Sequence, residues 1–235
     1  MPCMDIILIP GFWLDGDSWN NVAPGLRAAG HSVTQLTLPG LESVDADRST
    51  ITLHDHIAAV VAAVDASTEP VVLVGHSGGG PIAWAAADAL PEAIARVVFV
   101  DSGPQSTGLP INADLPVVNS EVPLPDWSVF DDADLIDLTD ELRERFRAIA
   151  IPEPARVTSD PFVLTDDRRF DVPATVICCE FTSAQLTRWL AMGEFPELAN
   201  TKNYELVNLP TGHWPQFTRP VDLAQEILRA VERHP

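Results

Sequence analysis

The run Val71-Val72-Leu73-Val74 passes without interruption into Gly75-His76-Ser77-Gly78-Gly79-Gly80, and no other stretch restricts the fold as much. A short, continuous apolar run reads as a strand buried on both faces. The Ala-rich run Ile82 to Leu90 behind it reads as a helix. The joint between them fits G-x-S-x-G. A strand that reverses directly into a helix needs a sharp turn, and its strained dihedrals lift the serine hydroxyl clear of the chain. Glycines two before and two after the serine let strand and helix approach without a Cβ clash. Ser77 is therefore the candidate nucleophile, and the competing reading is a plain Gly-rich turn.

On either side the chain alternates short apolar runs with helical periodicity. Ile6 to Ile9 reads as a strand that stops at Pro10-Gly11-Phe12-Trp13, Trp19 to Ala29 as a helix closed by Gly30, and Ser32 to Leu38 as a strand. A polar surface loop, Leu41 to Thr50, leads to an amphipathic helix on Leu53, Ile57, Val60, Val61 and Val64. Beyond the serine, Arg96 to Val100 is a further buried strand, ending at Asp101. From Pro104 to Asp171 the sheet signal disappears. That segment carries many prolines, an acidic cluster and one helix near Leu135 to Ala150, and it reads as a lid over the sheet's carboxyl edge. Alternation resumes with strand Thr175 to Cys179, helix Ala184 to Met192, strand Tyr204 to Leu209 and helix Val221 to Val231. The pattern implies βαβ units and a mostly parallel sheet. At 235 residues it makes a single α/β domain, 1–235, with the lid insert 104–171 inside it.

The formal charge of −20 argues against nucleic acid or an anionic membrane as partner and weakly against strongly anionic substrates. Met1-Pro2-Cys3-Met4-Asp5 lacks the basic start of a signal peptide, and no segment is long enough to span a bilayer. Three cysteines, two of them adjacent at Cys178 and Cys179, make no disulfide framework, so a reducing, cytoplasmic setting is expected.

Taken together, Pro10-Gly11-Phe12-Trp13, Leu38-Pro39-Gly40, the turn at Ser77 and Gly212-His213-Trp214 resemble the α/β-hydrolase superfamily over essentially the whole chain. Within it, the small esterase and hydroxynitrile-lyase-like branch is the most similar. The resemblance implies the α/β-hydrolase fold, a mostly parallel sheet flanked by helices, with the lid between the strand ending at Asp101 and the strand starting near Thr175.

A serine hydroxyl needs a base within hydrogen-bond reach. In this fold the loop of His213 reaches the edge where Ser77 stands, and serine precedes histidine in the chain as the family order requires. The other histidines read as structural: His76 inside the turn with its ring directed away from the hydroxyl, His54 and His56 two apart on one helix, His31 at a strand start and His234 in the tail. The acid departs from the family pattern, because the usual position falls on Thr182. Asp101 and Glu180 remain as rivals, Asp101 at a strand end from which some lipases and lactone hydrolases of the superfamily take theirs. The resemblance assigns the oxyanion hole to the backbone N–H groups of Phe12 and Gly78, with Pro10 where many relatives have histidine. Trp13, Trp127, Phe130 and Trp214 fall in loops that border the site, where they either line an apolar pocket or pack the lid.

The expected activity is hydrolysis of a small to medium apolar carboxylic ester or lactone through an acyl-enzyme on Ser77, with His213 as general base. The ligand is a small molecule, no metal or organic cofactor is implied, and a homodimer stays open. Two rivals stand beside it: a lyase or C–C bond hydrolase on the same scaffold, and a weakly catalytic small-molecule receptor. The only lysine, Lys202, lies in the surface-like stretch Asn200 to Asn203, which argues against cyanohydrin cleavage.

Overall fold

The computed structural model describes residues 3–232; Met1, Pro2 and His234 lie outside the described residues. The described strands are β1 (Asp5–Ile9), β2 (Ser32–Gln35), β3 (Val71–His76), β4 (Ile94–Val100), β5 (Glu121–Val122), β6 (Glu153–Pro154), β7 (Ala174–Cys178) and β8 (Tyr204–Asn208). Six of them form one sheet in the order β2-β1-β3-β4-β7-β8, and every neighbouring pair is parallel. Burial explains the order. Every residue of β3, β4 and β7 is buried, whereas the edge strands β2 and β8 are partly exposed. Uninterrupted apolar runs go to the middle because both of their faces are covered.

Alternation within the strands divides the core into two halves. Ile7, Ile9, Val71 and Leu73 face one layer, made with α2 (Leu53–Asp65) and α3 (Gly79–Ala89). Ile6, Leu8, Val72 and Val74 face the other, made with α1 (Ala23–Ala28) and α9 (Pro220–Glu232). Each such aliphatic side chain contributes about 1.5–3 kcal/mol on burial. Helix α3 is buried from Gly79 through Asp88, so its alanines are what allow α2 and the sheet to close on it.

The path from β1 out to β2 and back to β3 reverses the winding of the sheet between two adjacent strands. Such a reversal opens a crevice beyond the carboxyl ends of the strands, where ligands bind in open α/β sheets. The end of β1 is Pro10-Gly11-Phe12, and the end of β3 is Ser77.

Element boundaries shift from the sequence expectation for local reasons. Helix α1 starts at Ala23, not Trp19: Pro24 is tolerated only in a first turn, and a 3₁₀ turn at Gly16–Trp19 takes up the preceding residues. Helix α3 begins at Gly79, ahead of Ile82, because the Gly80 N–H already donates to the Ser77 carbonyl at 2.9 Å. The segment between β4 and β7 does contain sheet: β5 and β6 pair antiparallel across a long separation that leaves no local alternation to read. It also holds α4 (Asp140–Ile149) and α5 (Ala155–Ser159). The loop from Leu41 to Thr50 is not wholly superficial. Arg48 is 2% exposed and donates to the carbonyls of Ser43, Val44 and Ala46 and to the Glu121 carboxylate.

Candidate active site

Ser77 follows β3 with φ of 49°, in the left-handed region. For a non-glycine residue this costs about 1–3 kcal/mol and persists only where the surroundings enforce it. A Cβ on Gly75 would lie 2.5 Å from the Gly79 carbonyl oxygen, and one on Gly79 would lie 2.5 Å from that of Pro10. Only glycine fits at either place, which is the physical content of the motif. The Ser77 N–H donates to Val100 and its carbonyl accepts from the Ser102 hydroxyl at 2.6 Å. The side chain is thus the part of the residue left for chemistry.

His213 sits between β8 and α8 (Pro215–Thr218). Its Nε2 is 2.8 Å from Ser77 Oγ and its Nδ1 is 2.8 Å from Asp101 Oδ2. Two loop amides hold it in place, the Gly212 N–H donating to the Ile136 carbonyl and the His213 N–H to that of Asp134. His76 completes the support from below. Its Nε2 donates to the His213 carbonyl at 2.7 Å, while its Nδ1 meets the Gln216 amide at 3.2 Å. Neither ring nitrogen is bonded to the serine hydroxyl, and its role goes beyond packing. Full burial lowers its pKa to about 3, so it serves as a neutral strut.

Both rival acids reach the same nitrogen. Asp101 also has a left-handed backbone, φ 46°, and its side chain is fully buried. Its Oδ1 accepts from the N–H groups of Cys179 and Glu180 at 2.8 and 3.1 Å, which leaves Oδ2 for His213. Glu180 Oε2 is 3.2 Å from His213 Nδ1 but has no hydrogen-bond partner, and its side chain is 27% exposed. Thr182 is occupied elsewhere: it caps α6 (Ser183–Ala191) in a reciprocal pair with Gln185. Burial would lower the His213 pKa, but the hydrogen bond of Asp101 and the nearby charges of Asp101 and Glu180 outweigh it and raise the pKa instead. Asp101, Glu180 and His213 each bring one possible ligand atom within 4.8 Å of the others, a set a metal could use. Both nitrogens of His213 and both oxygens of Asp101 are already engaged by protein groups, as a proton relay requires. Burial pushes the Cys178 thiol up to about 12 and that of Cys179 higher still, so neither competes as a nucleophile.

Phe12 and Gly78 line the same cavity as Ser77, and among the described residues neither N–H donates a backbone hydrogen bond to the protein. The Phe12 ring packs over Gly78, where a Cβ would meet it at 2.6 Å. Trp13, next along, has φ of 65°.

The cavity above Ser77 has a volume of about 360 Å³. Phe12, Trp13, Phe130 and Trp214 line it, together with Ile111, Leu115 and Phe195, which sequence reasoning missed. Phe195 is itself left-handed, at φ of 53°, just ahead of α7 (Pro196–Asn200), a placement no local pattern announces. Trp127 does not line the cavity. Its ring lies 5.5–5.8 Å from those of Phe130, Phe146 and Trp214, with the Arg147 guanidinium above it, so it packs the insert against the His213 loop. Among the described residues no lysine or arginine lines the cavity, and its polar lining includes Gln105, Asn112 and Asp134, the last half-buried beside Glu180. Burial, then the hydrogen bond and charge of Glu180, raise the Asp134 pKa to about 6.

A family profile described as "Alpha/beta hydrolase family" matches residues 6–226. A carbendazim hydrolyzing esterase of Nocardioides sp. (strain SG-4G) is 32% identical over 100 residues, 42% of this chain and 41% of that protein. Methylesterase 7 of Arabidopsis thaliana is 34% identical over 99 residues, 40% of this chain and 38% of that protein. The chain thus matches about two fifths of the length of these curated relatives. An extracellular alpha/beta-hydrolase from a Paenibacillus species superposes with a TM-score of 0.76 at 21% identity, covering 97% of this chain and 98% of the other.

Proposed function

The chain belongs to the alpha/beta hydrolase family, and on that premise we propose that it is a serine-dependent carboxylic ester hydrolase. One observation carries the reading: Ser77 Oγ, His213 and Asp101 Oδ2 form a continuous hydrogen-bonded line with both links at 2.8 Å, at a cavity that Phe12 and Gly78 also line. His213 takes the Ser77 proton as Oγ attacks the ester carbonyl. Asp101 holds the imidazole in the required tautomer and balances the imidazolium that forms. The tetrahedral oxyanion rests on the Phe12 and Gly78 N–H groups. His213 then protonates the departing alcohol, and water repeats the sequence to free the acid.

The substrate is a small to medium ester or lactone without negative charge, because the apolar wall offers no cation to an acid group. The insert 104–171 acts as a cap and supplies part of that wall through Ile111, Leu115 and Phe130. A carbendazim hydrolyzing esterase and a methylesterase among the relatives support the same substrate class. The test is turnover of p-nitrophenyl acetate, butyrate and octanoate beside S77A, with fluorophosphonate labelling of Ser77. Serine-dependent turnover is expected, falling off at the longest chain. A wild-type protein that neither turns over nor labels would overturn the reading.

A further inference from the structure

Glu153 lies in β6, within the insert, and is 1% exposed. A carboxyl is rarely buried so completely without a task. Its Oε2 accepts the Trp13 N–H at 3.2 Å, across 140 residues of chain. Two further bonds join Trp13 to the insert: its carbonyl accepts from the Ile151 N–H at 2.9 Å, and its indole N–H donates to the Val122 carbonyl at 3.0 Å. The left-handed Trp13 is therefore held at its N–H, its carbonyl and its ring, all by the insert. Trp13 directly follows Phe12, so the orientation of the Phe12 N–H depends on where that peptide is fixed.

We propose that Glu153 is a positioning residue for the oxyanion loop, fixing the Phe12–Trp13 peptide from within the insert so that the Phe12 N–H faces the carbonyl attacked by Ser77. The inference rests on the acyl-transfer reading above. It makes the insert a structural part of the oxyanion hole as well as a cover.

The surroundings favour a neutral carboxyl. His56, on α2, donates from Nε2 to the Pro39 carbonyl at 2.8 Å, which leaves Nδ1 as a bare lone pair 3.8 Å from Glu153 Oε1. Arg48, the cation acting on Glu153, is bound to Glu121 on β5 and to loop carbonyls, and Glu42 and Asp55 act on the His56 side. Burial raises the Glu153 pKa to about 8 and lowers that of His56 to about 4, so both are neutral at pH 7. A neutral acid accepts the Trp13 N–H without placing a negative charge behind the site where the oxyanion develops. Above about pH 8 that charge appears and opposes the reaction.

The test compares E153Q and E153A with the wild type, in p-nitrophenyl butyrate kinetics and in the rate of fluorophosphonate labelling from pH 6 to pH 10. E153A is expected to lose about 10²-fold in kcat with KM within threefold, the scale of a lost oxyanion donor. E153Q keeps the acceptor for Trp13, so it restores most of that loss and abolishes the decline above pH 8. A wild type inert to the probe overturns the acyl-transfer reading and this inference with it. A reactive wild type whose alkaline limb survives in E153Q overturns this inference alone, as does an E153A variant with unchanged kcat.

Discussion

The carboxyl ends of β4 and β7 each aim an acid at His213 Nδ1, and they hold it in different ways. Asp101 ends β4 on a left-handed residue, fully buried, with one oxygen fixed by two amides of the β7 end and the other on the imidazole. Glu180, beyond β7, comes within 3.2 Å on a longer side chain that is partly exposed, and its near oxygen carries no hydrogen bond. Proximity is similar, preorganisation is not. A carboxylate held by three hydrogen bonds needs no rearrangement when the imidazolium forms, whereas a looser one is screened and must reorient. The β7 end serves β4 in another way, since the Cys179 and Glu180 amides are what orient Asp101.

The largest effect should come from the better-held acid. D101N is expected to lower kcat on p-nitrophenyl butyrate by about 10³–10⁴-fold, because the amide leaves His213 in the wrong tautomer; a loss under tenfold would give the role to Glu180. E180Q should cost about tenfold, the worth of one pKa unit on His213, seen as a lower pKa in the kcat/KM profile with little change in KM. The smallest effect lies one contact further out, at Asp134. Its pKa is raised to about 6, so between about pH 4 and pH 6 the folded chain binds more protons there than the unfolded chain, and stability falls as pH rises through that window. D134N mimics the protonated acid and can donate to Glu180. Its Tm should match wild type near pH 4 and exceed it by a few degrees above pH 6, with kcat changed less than threefold. A constant Tm difference across the window would separate Asp134 from Glu180.

What could be read in the sequence followed from how local its cause is. Gly75 is fixed by Gly79 and Gly80 within one strand, turn and helix, so a motif of five residues records that contact, whereas Gly79 is fixed by the Pro10 carbonyl at the end of β1. Asp101 uses the same left-handed device, but it is enforced by β7 rather than by neighbouring glycines, and so leaves no motif. Thr182 could be dismissed as an acid from its side chain alone, while its actual work as a helix cap follows from Gln185 three residues on. That Trp127 packs the insert and that Phe195 lines the cavity were not legible, for the opposite reason. An aromatic residue in a loop can turn toward ligand or core, and only the packing of Phe130, Phe146 and Trp214 decides.

The sequence by itself determined the alternation of strands and helices, the buried central strands, the sharp turn at Ser77 and the candidacy of His213, because each rests on periodicity, glycine sterics or chain order. Only the tertiary structure showed how differently Asp101 and Glu180 are held beside His213, made His76 a strut and gave the insert its hold on Trp13 through Glu153. Those outcomes depend on groups up to 140 residues apart being brought within hydrogen-bond range, and on burial that sets which of them carries charge.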